Sequence, residues 1–354
     1  MGLLGANQES RCSLFPQILY VAIKRMSQMK TIPNGTRPLI VVLDGHTLNP
    51  GDLSWAPLEA LGALRVFPRT APPDVIERAV EANIILANKV RLNAALLEQL
   101  PRLACICVTA TGYNNIDTAA AAALGITVCN AVGYSTHSVA QHVFALLLEI
   151  SNQVALHDRS VRALDWSSQP DFSYWKHPLM ELAGKTMGIY GFGRIGQQVG
   201  EIARAFGMQV IAYRRQPHPE APEWVRMVPL ETLFAESDVL SLNAPLNPDN
   251  INLVDKQRLA AMKPGAILIN TGRGELIVEN DLEEALRRGR PAFAALDVLR
   301  QEPPPRDHPL FALPNCLITP HQAWASREAR QRLLDISIQN VRQFLMGTPV
   351  NRVN

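Results

Sequence analysis

Short runs of consecutive apolar residues recur along this chain, separated by stretches whose apolar residues return at helical spacing. The first run, Leu39-Ile40-Val41-Val42-Leu43, is continuous rather than alternating, the pattern of a strand buried on both faces of a parallel sheet. Asn83-Ile84-Ile85-Leu86 and Cys105-Ile106-Cys107-Val108 repeat it, helical patterns cover Pro73 to Glu81 and Leu92 to Leu100, and this first unit ends near Val128-Cys129-Asn130. A long helix is predicted from Ser135 or Thr136, with Val139, Val143, Leu146 and Leu147 on one face, and is read as the crossing between two domains. From Leu182 the rhythm restarts. Strands are predicted at Thr186 to Tyr190, Gln209 to Tyr213, Val239 to Leu242, Ala266 to Ile269, Ala294 to Leu296 and Cys316 to Ile318. A final helix, Arg327 to Phe344, places Leu333, Ile336, Ile338, Val341 and Leu345 on its apolar face. Strand–helix alternation predicts an α/β fold of doubly wound parallel sheets.

The 354 residues allow one to three domains, and a 47% hydrophobic content is ample for packed cores. No apolar run approaches the roughly 20 residues that span a bilayer. The stretch through Met29 holds an apolar run, Leu14 to Ile23, followed by Lys24 and Arg25, the reverse of the order in a secretory signal. Residues 1–30 are expected to be a disordered extension or an over-long translation start, with Met26 or Met29 as the natural beginning. Lys plus Arg number 34 and Asp plus Glu 32, and a net charge of +2 makes no electrostatic case for a nucleic-acid partner. Cys12, Cys105, Cys107, Cys129 and Cys316 are odd in number and form no CxxC pair, so they read as reduced thiols of a cytoplasmic enzyme. No cluster has zinc-ligand spacing, and no metal is expected. The segment Asp165 to Pro178, with Trp166, Phe172, Tyr174 and Trp175, is long for a loop and reads either as a functional or interface segment or as a surface loop packed on itself.

Gly191-Phe192-Gly193-Arg194-Ile195-Gly196 follows an apolar strand and opens an amphipathic helix with Val199, Ile202, Ala203 and Phe206 on one face. In that setting the glycines allow, in turn, a tight turn, close approach of a pyrophosphate and close helix–strand packing. Phosphates then sit at the helix N-terminus, which Arg194 and Ile195 begin. The next strand ends at Tyr213-Arg214-Arg215, where an NAD-binding unit carries an acidic residue for the ribose 2′-hydroxyl. A guanidinium there can pair with a 2′-phosphate, so NADP is expected in preference to NAD.

Three later stretches place polar residues just past apolar strands: Asn270-Thr271-Gly272-Arg273-Gly274, then Leu296-Asp297-Val298 leading to Glu302, then Thr319-Pro320-His321. Hydride chemistry on a 2-keto acid needs a cation for the carboxylate and carbonyl, and a general acid for the developing alkoxide. Arg273 suits the first task and His321 the second. Glu302 could hold the imidazole and favour its protonated form. The remaining histidines, His46, His137, His142, His157, His177, His218 and His308, are assigned structural or solvated roles.

From about Pro38 to its end the chain resembles the D-isomer-specific 2-hydroxyacid dehydrogenases. The matching motifs are Ala110-Thr111-Gly112-Tyr113-Asn114-Asn115-Ile116-Asp117, Gly191 to Gly196, Asn270 to Gly274, Asp297 to Glu302 and Pro320-His321. Within that family, Pro320 to Ser326 and Asp171 to Trp175 are similar to the bacterial glycerate dehydrogenase/hydroxypyruvate reductase branch. The resemblance implies two Rossmann-like domains. Residues 133–319 would form the NAD(P)-binding domain, inserted in a substrate domain of residues 31–132 and 320–354, with the active site in the cleft between them. It also implies Arg273, Glu302 and His321 as the catalytic set. Backbone N–H groups of Thr111 and Gly112 would hold the substrate carboxylate, with Lys89 and Tyr134 bordering the pocket. Asp297 would hold the nicotinamide carboxamide, and Pro245 and Thr271 complete the expected cofactor contacts. Two departures stand out: Arg214 replaces the usual Asp, and Asn250 stands where Thr is common. The implied reactions are hydroxypyruvate to D-glycerate and glyoxylate to glycolate, by a homodimer joined through the nucleotide-binding domain. The segment around Trp175 is a candidate to reach the partner's active site. The alternatives are a 3-phosphoglycerate dehydrogenase and a non-catalytic dinucleotide-sensing scaffold like the corepressors that share the fold. Glu302 disfavours a formate dehydrogenase.

Overall fold

The computed structural model describes residues 30–33, 35–216 and 221–354. The expectation for the N-terminal extension up to Met29, and that for His218, lie outside the described residues. The chain forms two compact units. One joins the described residues up to Tyr134 with Arg330–Asn354; the other spans Ser135–Ala329.

The first unit carries a parallel sheet of β1 (Leu39–Val42), β2 (Ala63–Val66), β3 (Ile84–Ala87), β4 (Cys105–Val108) and β5 (Thr127–Cys129), in the order β2-β1-β3-β4-β5. Its helices are α1 (Ala56–Glu59), α2 (Val75–Ala79), α3 (Ala94–Leu97) and α4 (Thr118–Ala123). Every residue of β3 and β4 is buried, as their unbroken apolar runs require. β2 was not legible in the sequence. It lies at the sheet edge, Ala63-Leu64-Arg65-Val66 is largely exposed, and it exists because β1 offers it a hydrogen-bonding partner. The opposite edge is covered by the C-terminal tail. The N–H of Val353 donates to the Val128 carbonyl at 2.9 Å, and Cys129 bridges Arg352 in antiparallel sense. The tail thereby satisfies groups that an open edge would present to another chain.

The second unit contains β6 (Thr186–Tyr190), β7 (Gln209–Tyr213), β8 (Val225–Met227), β9 (Val239–Leu242), β10 (Ile267–Asn270), β11 (Phe293–Leu296) and β12 (Cys316–Ile318). All are parallel, in the order β12-β11-β10-β9-β6-β7-β8. β8, a second edge strand without an apolar run, was likewise absent from the sequence reading. The helices are α5 (Thr136–Asn152), α6 (Val154–Arg162), α7 (Arg194–Ala205), α8 (Leu230–Glu236), α9 (Lys256–Ala261) and α10 (Glu279–Arg287). Both sheet faces are covered. Ile267 and Ile269 pack with Phe144 and Leu147 of α5 and Val199 and Ala203 of α7. Leu268, between them, points the other way, into a cluster with Leu233, Phe234, Leu259 and Leu282. Each of these side chains larger than Ala203 contributes about 1.5–3 kcal/mol on burial.

Register decides what the second sheet presents. Tyr190 pairs with Leu242, Leu242 with Asn270, Asn270 with Leu296, and Leu296 with Ile318. Five strands therefore end level, and the residues after them emerge along one edge. The chain order reverses between β6 and β9, the switch point at which open α/β sheets bind ligands.

The last helix, α11 (Arg327–Leu345), corrects one expectation. Its buried residues are Ala329, Arg330, Leu333, Leu334, Ser337, Ile338, Asn340, Val341 and Phe344, whereas Ile336 and Leu345 are only partly buried. Helical geometry chose the stripe over residue type: the Ser337 hydroxyl is accommodated by donating to the Leu333 carbonyl at 2.8 Å.

Candidate active site

The glycine loop follows β6 at the switch point. Gly191 has φ +92°, and a Cβ there would lie 2.6 Å from the Ala244 nitrogen. A Cβ on Gly196 would lie 2.3 Å from the Gly191 carbonyl oxygen. Gly193 differs: a Cβ there meets nothing within 4 Å, so the missing side chain leaves open space in front of α7. Gly193 is the N-cap, no side chain caps the helix, and Arg194 and Ile195 form its first turn. An uncapped helix N-terminus behind an open glycine fits the pyrophosphate of a dinucleotide. Thr271, just past β10, adds a second mark of fit: its Oγ1 is buried and has no hydrogen-bond partner among the described residues. Pro245, past β9, is exposed, and its carbonyl accepts from the Asn250 amide at 2.9 Å. Asn250 is buried and also accepts from the Asn247 N–H at 2.7 Å, so its amide closes the loop on itself. Arg214 and Arg215 are exposed beyond β7, and Arg215 Nη1 lies 2.6 Å from Asp249 Oδ2.

Arg273, Asp297 and His321 follow the adjacent strands β10, β11 and β12. Asn270, fully buried, shapes the turn that carries Arg273: its amide donates to the Arg273 carbonyl at 2.8 Å and accepts from Gly272 N–H at 3.0 Å. Gly274 is obligatory beside it, since a Cβ would sit 2.0 Å from the Leu299 carbonyl carbon. Glu302 Oε2 is 2.7 Å from His321 Nδ1, and its Oε1 accepts from Leu299 N–H at 3.2 Å. With Nδ1–H committed to the carboxylate, Nε2 is the ring nitrogen available to a substrate.

His321 itself has φ +51°, an uncommon conformation for a residue with a side chain. Asp297 holds it there. The His321 N–H donates to the Asp297 carbonyl at 2.8 Å. Asp297 Oδ1 accepts from Thr319 Oγ1 at 2.7 Å and from Gln322 N–H at 2.9 Å, and Oδ2 accepts from Ala323 N–H at 2.9 Å. Burial would push this carboxyl up, but hydrogen bonds from His142, Thr319, Ala323 and Gln322 outweigh it and hold Asp297 below the usual carboxylate range. His142 on α5 thus belongs to this network: its Nε2 lies 3.0 Å from Thr319 Oγ1 and 3.4 Å from Asp297 Oδ1. Sequence reasoning missed it because nothing in its own helix distinguishes it; only the packing of α5 on β11 does. His157 and His308 are structural, bonded to Gln153 and Glu279.

The remaining predicted residues lie in the first unit, past β3, β4 and β5. Asp44 accepts from the N–H groups of Asn88, Lys89 and Val90 at 2.8, 2.6 and 3.2 Å, fixing the loop that presents Lys89. Asn115 donates to the Val90 carbonyl at 2.9 Å and ties that loop to the one bearing Thr111 and Gly112. Thr111 Oγ1 donates to the Ala131 carbonyl at 2.8 Å. Tyr134 is buried, and its carbonyl accepts from Arg332 Nε at 2.8 Å. In the second unit a cavity of about 190 Å³ lies at the opposite, N-terminal end of the strands, between Ile150, Met180, Ile267 and Phe293, and contains none of the residues above.

Residues 144–323 match the NAD binding domain of the D-isomer specific 2-hydroxyacid dehydrogenases. A hydroxypyruvate reductase of Blautia hydrogenotrophica is 47% identical over 319 residues, 89% of this chain and 99% of that protein. A glycerate dehydrogenase of Methylorubrum extorquens is 41% identical over 284 residues, 80% of this chain and 88% of that one. Among solved structures, an acyclic imino acid reductase in complex with NADPH and D-arginine superposes with a TM-score of 0.79 at 32% identity, over 89% of this chain and 100% of that one.

Proposed function

This chain belongs to the D-isomer specific 2-hydroxyacid dehydrogenase family and is an NAD(P)-dependent oxidoreductase, and from that premise we propose that it reduces hydroxypyruvate to D-glycerate and glyoxylate to glycolate. The observation that carries the reading is the His321–Glu302 pair, 2.7 Å apart on the sheet edge that also bears the glycine loop and Arg273. When bound, the nicotinamide supplies a hydride to the keto carbon. His321 Nε2–H donates the proton that the resulting alkoxide oxygen requires, and Glu302 stabilises the imidazolium before that transfer. Arg273 binds the carboxylate and draws electron density from the carbonyl. Lys89, Thr111, Gly112 and Tyr134 are proposed to contact substrate. Gly191, Gly193, Arg194, Ile195, Gly196, Pro245 and Thr271 are proposed to contact the cofactor; Asp297, only 1% exposed and with both carboxylate oxygens already bonded within the chain, is proposed to position the His321 turn instead.

The cofactor is NADP in preference to NAD, because Arg214 and Arg215 occupy the place of a 2′-phosphate partner. Steady-state assays with hydroxypyruvate, glyoxylate, pyruvate and a longer 2-keto acid, each with NADPH and NADH, test both parts. The highest kcat/KM is expected with one of the first two acids and with NADPH. Arg214→Asp is expected to lower the NADPH/NADH ratio by about tenfold or more. A strong NADH preference of the unaltered protein rejects the cofactor assignment; turnover confined to other acids rejects the substrate assignment.

The chain pairs with a second copy through the Ser135–Ala329 unit. Supporting this, Leu164, Phe172 and Trp175 are 65%, 90% and 66% exposed along one short stretch. That stretch is held in place by Ser160–Asp165, Ser160–Tyr174 and Lys176–Asp165 bonds and by the Trp166 indole N–H, which donates to the Phe172 carbonyl at 3.0 Å, while the Phe172 and Trp175 rings stay exposed. Sedimentation velocity is expected to show a two-chain particle; a single chain at all concentrations rejects the pairing.

A further inference from the structure

We propose that Asp249 tunes the discrimination between phosphorylated and unphosphorylated ribose by competing with a 2′-phosphate for Arg215, an inference that rests on the cofactor reading above. Two arginines follow β7, and they are not equivalent. Arg215 Nη1 already holds Asp249 Oδ2 at 2.6 Å. Among the described residues no carboxylate forms an ion pair with Arg214.

Asp249 does not hang on a loose loop. It lies in the single 3-10 turn Pro248–Asn250 that follows β9, across the switch point from β7. Asn247 Oδ1 accepts from Asp249 N–H at 2.9 Å, and Asn250, buried, bonds Asn247 N–H and the Pro245 carbonyl at 2.7 and 2.9 Å. The turn is closed from both ends, so the Asp249 carboxylate is presented to Arg215 from a stiff support. Its side chain is 73% exposed and that of Arg215 62%, so the pair is weak and water-screened, and an incoming phosphate can displace it. The displaced carboxylate stays nearby and repels a group carrying nearly two negative charges at neutral pH. Arg214 therefore carries the phosphate contact, while Arg215 contributes only at the expense of its bond to Asp249. Removing the Asp249 charge, with its shape kept, releases Arg215 and removes the repulsion together.

Calorimetric binding of 2′,5′-ADP and of 5′-AMP to the full chain isolates the phosphate, since the two ligands differ only there. In Asp249→Asn the ratio of the two affinities is expected to rise by about three- to tenfold. In an Arg215→Ala background the same substitution is expected to leave a clearly smaller rise. A ratio unchanged by Asp249→Asn, in a protein that already favours 2′,5′-ADP, overturns the competition and leaves the NADP reading standing. A ratio near one in the unaltered protein that rises in Asp249→Asn upholds the competition and overturns the NADP preference. A ratio near one in both overturns both.

Discussion

His321→Asn is expected to lower kcat for keto-acid reduction by about 10²- to 10⁴-fold, the usual contribution of a positioned general acid. Asparagine is the informative replacement because it tolerates the left-handed backbone that His321 adopts at φ +51°, so the variant removes a proton donor without adding strain. Its amide can still donate to Glu302, which keeps the 2.7 Å partner occupied. The loss should therefore fall on kcat, with NADPH affinity measured by calorimetry nearly unchanged. Retention of kcat to within a few-fold would show that the proton comes from another group. Glu302→Gln is expected to give a smaller loss in the same parameter, because the imidazole keeps a hydrogen-bond partner but loses a charge.

Asp297→Asn is expected to damage stability and activity together. Oδ1 accepts from Thr319 and Gln322 while Oδ2 accepts from Ala323, so either orientation of an amide turns an N–H toward a donor. With a side chain only 1% exposed, water cannot relieve that conflict. The expected loss is about 2–4 kcal/mol, measured by urea unfolding at neutral pH. The Pro320–Ala323 turn carries His321, so kcat should fall by about 10²-fold or more. The effect also has a pH signature. The folded carboxyl titrates below its unfolded value of about 3.9. Its contribution to stability is thus complete above that unfolded value and fades as pH falls through the lower, folded one. The stability gap between the two proteins should be flat from neutral pH to about pH 5 and narrow in stronger acid. A gap unchanged at low pH would mean that the charge of Asp297 plays no part.

The parts of the site carried by one strand and the turn after it were legible in sequence. The glycine loop announces itself because a strand, a turn and a helix of known period must all fit around it. Arg273, Glu302 and His321 stand where apolar runs stop, and register then sets the strand ends level. Less legible was whatever depends on a partner far away in the chain. His142 and Asp44 look like ordinary polar residues until packing brings Thr319 or the Lys89 loop against them. The Arg214-Arg215 pair was visible as two cations, but not that Asp249, 34 residues beyond Arg215, holds one of them.

By itself the sequence determined the fold class, the central strands, the long helices and the residue types that carry the chemistry. Those features follow from local period and from the burial of continuous apolar runs, which need no knowledge of neighbours. Tertiary structure alone decided the edge strands β2 and β8, whose apolar residues are broken by Arg65 and Arg226 and which form because a neighbour supplies hydrogen bonds. It also selected the stripe of α11 that is buried, and the conformation of His321, imposed by Asp297, 24 residues earlier in the chain, whose carbonyl holds His321 N–H and whose carboxylate holds the residues around it. In each case the deciding term is a contact between segments distant in sequence, and no local pattern encodes it.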